Sequence, residues 1–421
     1  MNPTSTDAVA VIGAGLLGLC TALQLRRHGQ DVVLIDVNSP GSGASSGNAG
    51  FLATESIDPL STWTTLKAAP GLLLHPHGPL KVPPGNRLAA LPWLARFLQA
   101  AQGERVAAHR DALAALNSRA VQSWIDCLTF IGCQDLLVQS GYLLAWEKAQ
   151  GMSAARSECA HLERWGLEVE LVEASAIDML EPAMAGRFHH GLHFRQAWRM
   201  RDPSWLCTAL FEAFIRHGGT WLQQRVERLE LGTAAPRLYL NGRWEPYAKV
   251  VLCAGAQSAS LLAPLGIHIP LMAERGYHLQ CTRKGVINRP ICPVERRIFL
   301  SPLDSGLRVV GISELGGTRL PPQPARLDTL RHHGQALLPQ LEEELRDATP
   351  WMGMRPTLPD SLPVIDVVAD RLGLAFGNQH LGLTQAAITA ELIVSRLLAT
   401  PSAVDCRPFR VARFSGARHG Y

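Results

Sequence analysis

Residues 8–36, AVAVIGAGLLGLCTALQLRRHGQDVVLID, constrain the fold more than any other stretch. AVAVI (8–12) is an apolar run suited to a buried strand, and GAGLLG (13–18) is a glycine turn. LCTALQLRRHG (19–29) has the spacing of a helix that stops at Gly29, and DVVLID (31–36) is a second strand closing on an acid. Strand, GxGxxG, helix, strand and acid follow in the order a dinucleotide-binding βαβ unit demands. Gly13 permits the tight turn, Gly15 brings backbone close to a pyrophosphate, and Gly18 lets helix and strand pack. Leu16 and Leu17 lie where the helix opens, and its first N–H groups and positive dipole end suit phosphates. Asp36, followed by Val37, is set to accept hydrogen bonds from the ribose hydroxyls of an adenosine. Its charge repels a 2′-phosphate and no arginine follows to receive one, so an NADP site is disfavoured. The competing reading is a glycine-rich turn that binds nothing.

The next segment, SPGSGASSGNAGFLA (39–53), is too polar and glycine-rich for the second helix of a plain NAD-binding unit. Ser45, Ser46, Asn48, Ala49 and Gly50 offer hydroxyls and closely approaching N–H groups. These suit a second pass along a pyrophosphate and ribityl chain, which favours FAD over NAD. A flexible Gly/Ser linker is the alternative.

Composition narrows the remaining classes. A chain of 421 residues has room for roughly two to three domains. The net charge of +4 is small, and no basic block with interleaved aromatics points to a nucleic acid. The nine cysteines contain no CxxC pair, so buried free thiols in a reducing compartment are expected and a metal site is not. The apolar start is preceded by Asp7 and has no basic leader, and no run long enough to span a bilayer follows. A cytoplasmic protein is expected, with no integral membrane segment; peripheral contact with the inner face of the cell membrane is compatible with this.

These residues resemble the FAD-dependent D-amino-acid oxidase and dehydrogenase superfamily. Three later segments resemble it in the same order: AKVVLCAGAQSASLLAPLG (248–266), WMGMRPTLPDSLPVID (351–366) and GNQHLGLTQAAITAELI (377–393). SSGNAG, GMRP and NQHLGLT look most like bacterial D-amino-acid dehydrogenases, and ERGYH (274–278) is similar to the D-hydroxyproline dehydrogenase branch. The resemblance implies an α/β fold (α+β overall), with a Rossmann-type FAD-binding domain interleaved with a mixed-sheet substrate-binding domain. The first would take residues 1–60, 185–266 and 346–421; the second, 61–184 and 267–345. Ala254 and Gly255 would return the chain to the flavin domain, and His380, Leu381, Gly382, Leu383 and Thr384 would form a last flavin-contacting loop and helix start. Val226 either sets its backbone against the adenine edge or is a plain ladder residue. The short tail after residue 400 is expected to be loosely held.

The implied chemistry is hydride transfer from the α-carbon of an amino acid to flavin N5. The cofactor carries the hard step and the protein positions the substrate; no catalytic acid or base is identified. Arg355, in an extended segment before proline, is the expected carboxylate anchor, because a guanidinium fork matches a carboxylate. A structural salt bridge is its alternative, and Arg296 and Arg297 are lesser candidates. Tyr277 either lines the pocket or packs in a sheet, with His278 alternating to the opposite face. His380 is read as a contact to flavin or substrate rather than a proton carrier. The helix starting near Thr384 would aim its positive end at the flavin pyrimidine. The late flavin segments hold no cysteine, so noncovalent FAD is expected. D-proline or cis-4-hydroxy-D-proline is the preferred substrate, with electrons passed to a quinone or another protein. The alternatives are a glycine- or sarcosine-type oxidase releasing hydrogen peroxide, and a non-catalytic flavoprotein subunit.

Overall fold

In a computed structural model, which describes residues 7–414, the strand Val9–Ile12, the helix Leu16–Arg27 and the strand Val32–Asp36 form the parallel βαβ start. Every residue of the first strand is buried, as expected of a central parallel strand covered on both faces. It sits inside a six-stranded sheet ordered Val364–Val368, Leu372–Phe376, Lys249–Leu252, Val9–Ile12, Val32–Asp36, Thr220–Gln223. All pairings are parallel except that of Val364–Val368 with Leu372–Phe376. Helices Leu16–Arg27, Gly103–Ile131, Pro203–Arg216 and Gly382–Leu397 contribute one core with this sheet. A second core joins its other face to a three-stranded meander (Arg228–Glu230, Arg237–Leu240, Arg243–Pro246). The expected Asn-Gly turn within it has positive φ at both Asn241 and Gly242, the signature of a tight hairpin turn.

The larger mixed sheet runs Thr349–Thr357, Met272–Gln280, Gly306–Glu314, Ile298–Leu303, Ile291–Pro293, Tyr142–Trp146, His190–Phe194, Glu170–Glu173. Its side chains alternate with the period of two that strands impose. Tyr277, Leu279, Ile298, Leu300, Leu307 and Val309 share a core with Leu330 and Leu337 of the helix Pro324–Leu337. Glu274, Gly276, His278 and Gln280 alternate to the other face, which meets the glycine-rich loop at 45–50.

Three expectations about chain organisation differ from this architecture. Strands His190–Phe194 and Thr349–Thr357, within segments expected on the nucleotide side, pair in the larger sheet. The helix Gly103–Ile131, within a segment expected on the substrate side, packs in the core of the six-stranded sheet. Its apolar stripe Leu113, Leu116, Ala120, Trp124, Leu128 is buried there, and the Trp124 indole donates to the Leu383 carbonyl at 2.8 Å. The tail is also packed as far as 414: Phe409 is fully buried, Arg413 pairs with Asp360, and the Val411 amide donates to Asp366. Residues 415–421 lie outside the described region.

Candidate active site

The glycine fingerprint is sterically required. Gly13 has φ +103°, and a Cβ there would lie 2.5 Å from the Cys253 carbonyl oxygen. One on Gly18 would lie 1.8 Å from the Gly13 carbonyl oxygen. Gly15 caps the helix in an extended conformation, and a Cβ on it would meet only the Ser45 hydroxyl, at 3.1 Å. That hydroxyl accepts from the Leu16 amide at 2.9 Å, so the loop folds back over the helix start and is no free linker. Leu17 is half-buried against the helical core and Val37 is exposed. The Asp36 carboxylate accepts from the Ala14 and Asn38 amides at 2.8 and 2.9 Å, bracing the turn. Four lone-pair sites leave it acceptor capacity for a ribose as well.

The loop from 45 to 50 is clamped from the larger sheet. Arg308 donates to the Ser46 and Asn48 carbonyls at 2.9 and 2.5 Å. The Asn48 side chain accepts from the Gly50 amide, where φ is +77°, while the Ser46 hydroxyl donates to Gly43; Ala49 is partly exposed. Gly47 lies against the Trp351 indole, 2.1 Å from where its Cβ would be. Trp351 in turn stacks on His278, centroids 4.8 Å apart, and His278 Nδ1 meets the Gly47 carbonyl at 3.2 Å. Burial first, then Arg308, lowers the His278 pKa to about 3, so this ring is a neutral scaffold. Arg308 lies outside every motif and Trp351 only opens the 351–366 segment, so nothing local in the sequence singles out either one.

Ala254 follows the strand Lys249–Leu252 and lies beside Gly13; Gly255 has φ +53°. Val226 lies in the connection between Thr220–Gln223 and Arg228–Glu230, outside the ladder, half-buried against the core. Apart from its chain neighbours and its own helix backbone, no protein atom lies within 4 Å of a Cβ built on Gly255 or on Gly382. These two glycines leave room, the helix start offers donors and the Asp36 carboxylate an acceptor, a set suited to a flavin dinucleotide.

The second centre is an ion pair. Arg355 stands opposite Glu274 in the antiparallel register, Nη1 to Oε1 3.0 Å. Ser313 and Thr357 donate to the two Glu274 oxygens at 2.5 and 2.8 Å. Burial pushes the Glu274 carboxyl up, but Arg355 and the two hydroxyls outweigh it and hold its pKa below the ordinary value. Gly276 supplies the floor: a Cβ there would be 2.6 Å from Arg355 Cζ, so glycine lets the guanidinium lie across the strand. Glu274 and Gly276 stand in the ERGYH stretch, on the face the sequence reading did not choose. Tyr277 is fully buried on the reverse face, and its hydroxyl accepts from the Gln323 amide at 3.2 Å. The structure therefore sets Tyr277 apart from Arg355 and brings His278 to the site side. The alternation was read correctly but with the faces exchanged.

His380 is solvent-accessible, yet surrounding protein lowers its pKa to about 4, chiefly by desolvation; Glu274 raises it and Arg355 lowers it. The opposing influences of Glu274 and Arg355 place its ring near that ion pair. The adjoining Gln379 has φ +50°, and its Oε1 is buried without a hydrogen-bond partner. The helix Gly382–Leu397 begins two residues later, after buried Leu381. Thr384 does not cap it; the hydroxyl accepts from the Ala53 amide at 2.9 Å, tying the helix to the end of the glycine-rich loop. Buried amides extend the tie: Asn378 donates to Gln385, Gln385 to Asn117, and Asn117 to the Ser56 carbonyl. Beside this seam lies Glu55, half-buried, whose carboxyl burial raises to about 8. Phe51 packs at a tilt against Tyr142, ring centroids 4.3 Å apart, and against Phe299 at 6.2 Å, an aromatic cluster next to the glycine-rich loop.

Comparison with known proteins agrees with this geometry. The family model described as FAD dependent oxidoreductase matches residues 8–396. The chain is 30% identical to a D-amino-acid oxidase of Bradyrhizobium diazoefficiens over 96% of its own length and 98% of that protein. It is 29% identical to D-amino acid dehydrogenase 2 of Ralstonia nicotianae, covering 96% and 100%. Among solved structures it is similar to glycine oxidase from Geobacillus kaustophilus (TM-score 0.73, 19% identity, 97% and 99% covered). L-proline dehydrogenase from P. horikoshii is similar in fold too (TM-score 0.74, 16% identity, 97% of each chain).

Proposed function

From the premise that the chain belongs to the FAD-dependent oxidoreductase family, we propose that it oxidises a D-amino acid, with Arg355 receiving the substrate carboxylate. The observation that carries this reading is the guanidinium lying over Gly276, partly exposed, on the sheet face that grips the 45–50 loop. FAD, when bound, supplies the hydride acceptor for the α-carbon. The chain's own residues bind and orient. Arg355 offers its fork to the carboxylate, and Glu274 with Ser313 and Thr357 keeps that fork from swinging. His380, neutral above pH about 5, contacts the bound molecules and does not deliver a proton. The start of Gly382–Leu397 directs N–H groups and the positive dipole end toward the flavin, where negative charge develops on reduction. His380, Leu381, Gly382, Leu383 and Thr384 thus act as the last segment of the flavin site, with Gly13, Gly15, Gly18, Asp36 and the 45–50 loop at the other end.

The relatives named D-amino-acid oxidase and D-amino acid dehydrogenase support a D-amino acid; within that class the resemblance of ERGYH alone makes a cyclic secondary amine, D-proline or cis-4-hydroxy-D-proline, the preferred substrate. A dehydrogenase would pass electrons to a quinone or a protein acceptor; the oxidase reading draws on the 30% identical relative. Anaerobic titration of the holoprotein with a panel of D- and L-amino acids, glycine and sarcosine tests both. Bleaching by D-amino acids with slow recovery in air supports the dehydrogenase. Fast recovery with peroxide supports the oxidase, and a flavin that no amine bleaches sinks the catalytic reading. Acid precipitation should leave the yellow colour in the supernatant, as noncovalent FAD requires.

A further inference from the structure

Between Asp58 and Glu104 the sequence has no acidic residue, while Lys67, Lys81, Arg87 and Arg96 supply four cations. This stretch forms two helices, Trp63–Leu74 and Arg87–Ala100, joined through the short strand Leu80–Lys81. That strand pairs with Gly306–Glu314, Leu80 opposite Ser313, which fixes both helices to one margin of the larger sheet. Lys81 ties the end of the first helix down by donating to the Leu73 and His75 carbonyls at 2.5 and 2.9 Å.

Neither helix hides all of its apolar side chains. The first, WTTLKAAPGLLL, has no buried residue at all. Trp63 is 59% exposed and Leu74 82%. The second buries Ala90 and Trp93 against Met272 and Leu315, and Ala100 is buried near its end. Its opposite stripe, Leu88, Leu91, Ala95 and Leu98, recurs at helical spacing and faces outward. The three leucines are 82%, 57% and 49% exposed. A helix apolar on all sides is buried in protein or in lipid. Here one stripe is in protein and the other is not, and exposed apolar surface of this extent marks an interaction site.

Arg87 and Arg96 are exposed on the helix that carries these leucines, and Lys67 is exposed on the helix of Trp63 and Leu74. Apolar side chains edged by cations and free of carboxylates are the chemistry of helices that lie in an anionic bilayer interface, where long basic side chains reach up to the headgroups. Two copies of this chain meeting through the same face would set these cations against each other, which disfavours a self-interface. No helix among the described residues is long and apolar enough to cross a membrane, so the contact is one of lying on the surface.

We propose that the helices Trp63–Leu74 and Arg87–Ala100 seat this protein on the surface of an anionic lipid bilayer. The exposed side chains of this face include none of the residues of the Arg355–Glu274 pair, and the inference holds whatever the substrate is. The test is co-sedimentation of the FAD-loaded protein with vesicles of phosphatidylglycerol and phosphatidylcholine, against vesicles of phosphatidylcholine alone. Binding should be at least tenfold tighter to the anionic vesicles and should fall as salt rises. Leu88→Glu with Leu91→Glu should lose at least tenfold in binding, and Lys67→Glu with Arg96→Glu should do the same, with the flavin spectrum and Tm unchanged in both pairs. If either double variant fails to load FAD, single Leu88→Gln replaces it, with a smaller loss expected. No sedimentation of the parent protein with anionic vesicles overturns the proposal. So does equal binding by folded variants. A concentration-dependent dimer that the leucine variants dissolve, without vesicle binding, would assign the face to self-association instead.

Discussion

Arg355 and Glu274 face each other across two antiparallel strands, Nη1 to Oε1 3.0 Å, with Gly276 beneath the guanidinium. The pair joins a partly exposed cation to a buried anion. Removing the fork while keeping the charge isolates its geometric part. Arg355→Lys should raise the amino-acid KM roughly 100-fold and leave FAD bound, since a point charge cannot reproduce a bidentate grip. Steady-state kinetics beside the flavin absorbance spectrum would decide it; an unchanged KM removes Arg355 from the site.

Glu274 should behave in the opposite sense. Glu274→Gln can keep bonds to Ser313 and Thr357 but leaves Arg355 with an uncompensated charge. Stability should drop by about 3 kcal/mol, the usual cost of breaking a buried pair. A simple carboxylate inhibitor should bind several-fold more tightly, because the anchor's charge is no longer offset. Thermal denaturation together with inhibitor titration would expose a failure: a lower Tm with weaker inhibitor binding contradicts the pairing argument.

Gly276→Ala separates positioning from folding. Gly276 does not have a positive φ, so alanine fits the strand backbone, and the conflict is with the flexible end of Arg355, 2.6 Å away. The Tm should move by only a few degrees while KM rises about tenfold, as expected for a displaced anchor. A KM equal to that of the parent would mean the guanidinium does not need this floor.

Tyr277→Phe is the matching control. The hydroxyl accepts one bond from the Gln323 amide inside the rear core, so its loss should cost about 1 kcal/mol and leave kcat/KM unchanged. A fall in kcat/KM of tenfold or more would return Tyr277 to the site.

The contrast between Arg355 and Tyr277 marks how far the sequence could be read. The βαβ start was legible because Gly13 and Gly18 are demanded by backbone contacts within the turn or beside the adjoining strand. GMRP and GNQHLGLTQ were legible as segments, and the structure brings His380 beside the ion pair. Which face of ERGYH looks inward was not legible, because alternation fixes relative sides and only the packing of Pro324–Leu337 chooses between them. Arg308 and Trp351 act through contacts with residues 46–48, more than 250 positions away, and no local pattern carries such information. The helix Gly103–Ile131 has an evident apolar stripe, but the stripe does not say which sheet will receive it.

Glu55 makes a prediction in pH. Burial raises its folded pKa from 4.5 to about 8, so the folded protein holds a proton that the unfolded chain has released. Stability from this group is therefore fully present below pH about 4.5 and is lost as pH rises towards 8, because the native state binds more protons throughout that window. The full shift would correspond to nearly 5 kcal/mol; with partial exposure, about 2–4 kcal/mol is expected. Glu55→Gln keeps the shape and removes the titration. The FAD-loaded variant should match the parent near pH 5 and exceed it in stability at pH 8.5. Denaturant unfolding of both proteins across that range is the measurement, and parallel curves at every pH would show that Glu55 ionises freely in the fold.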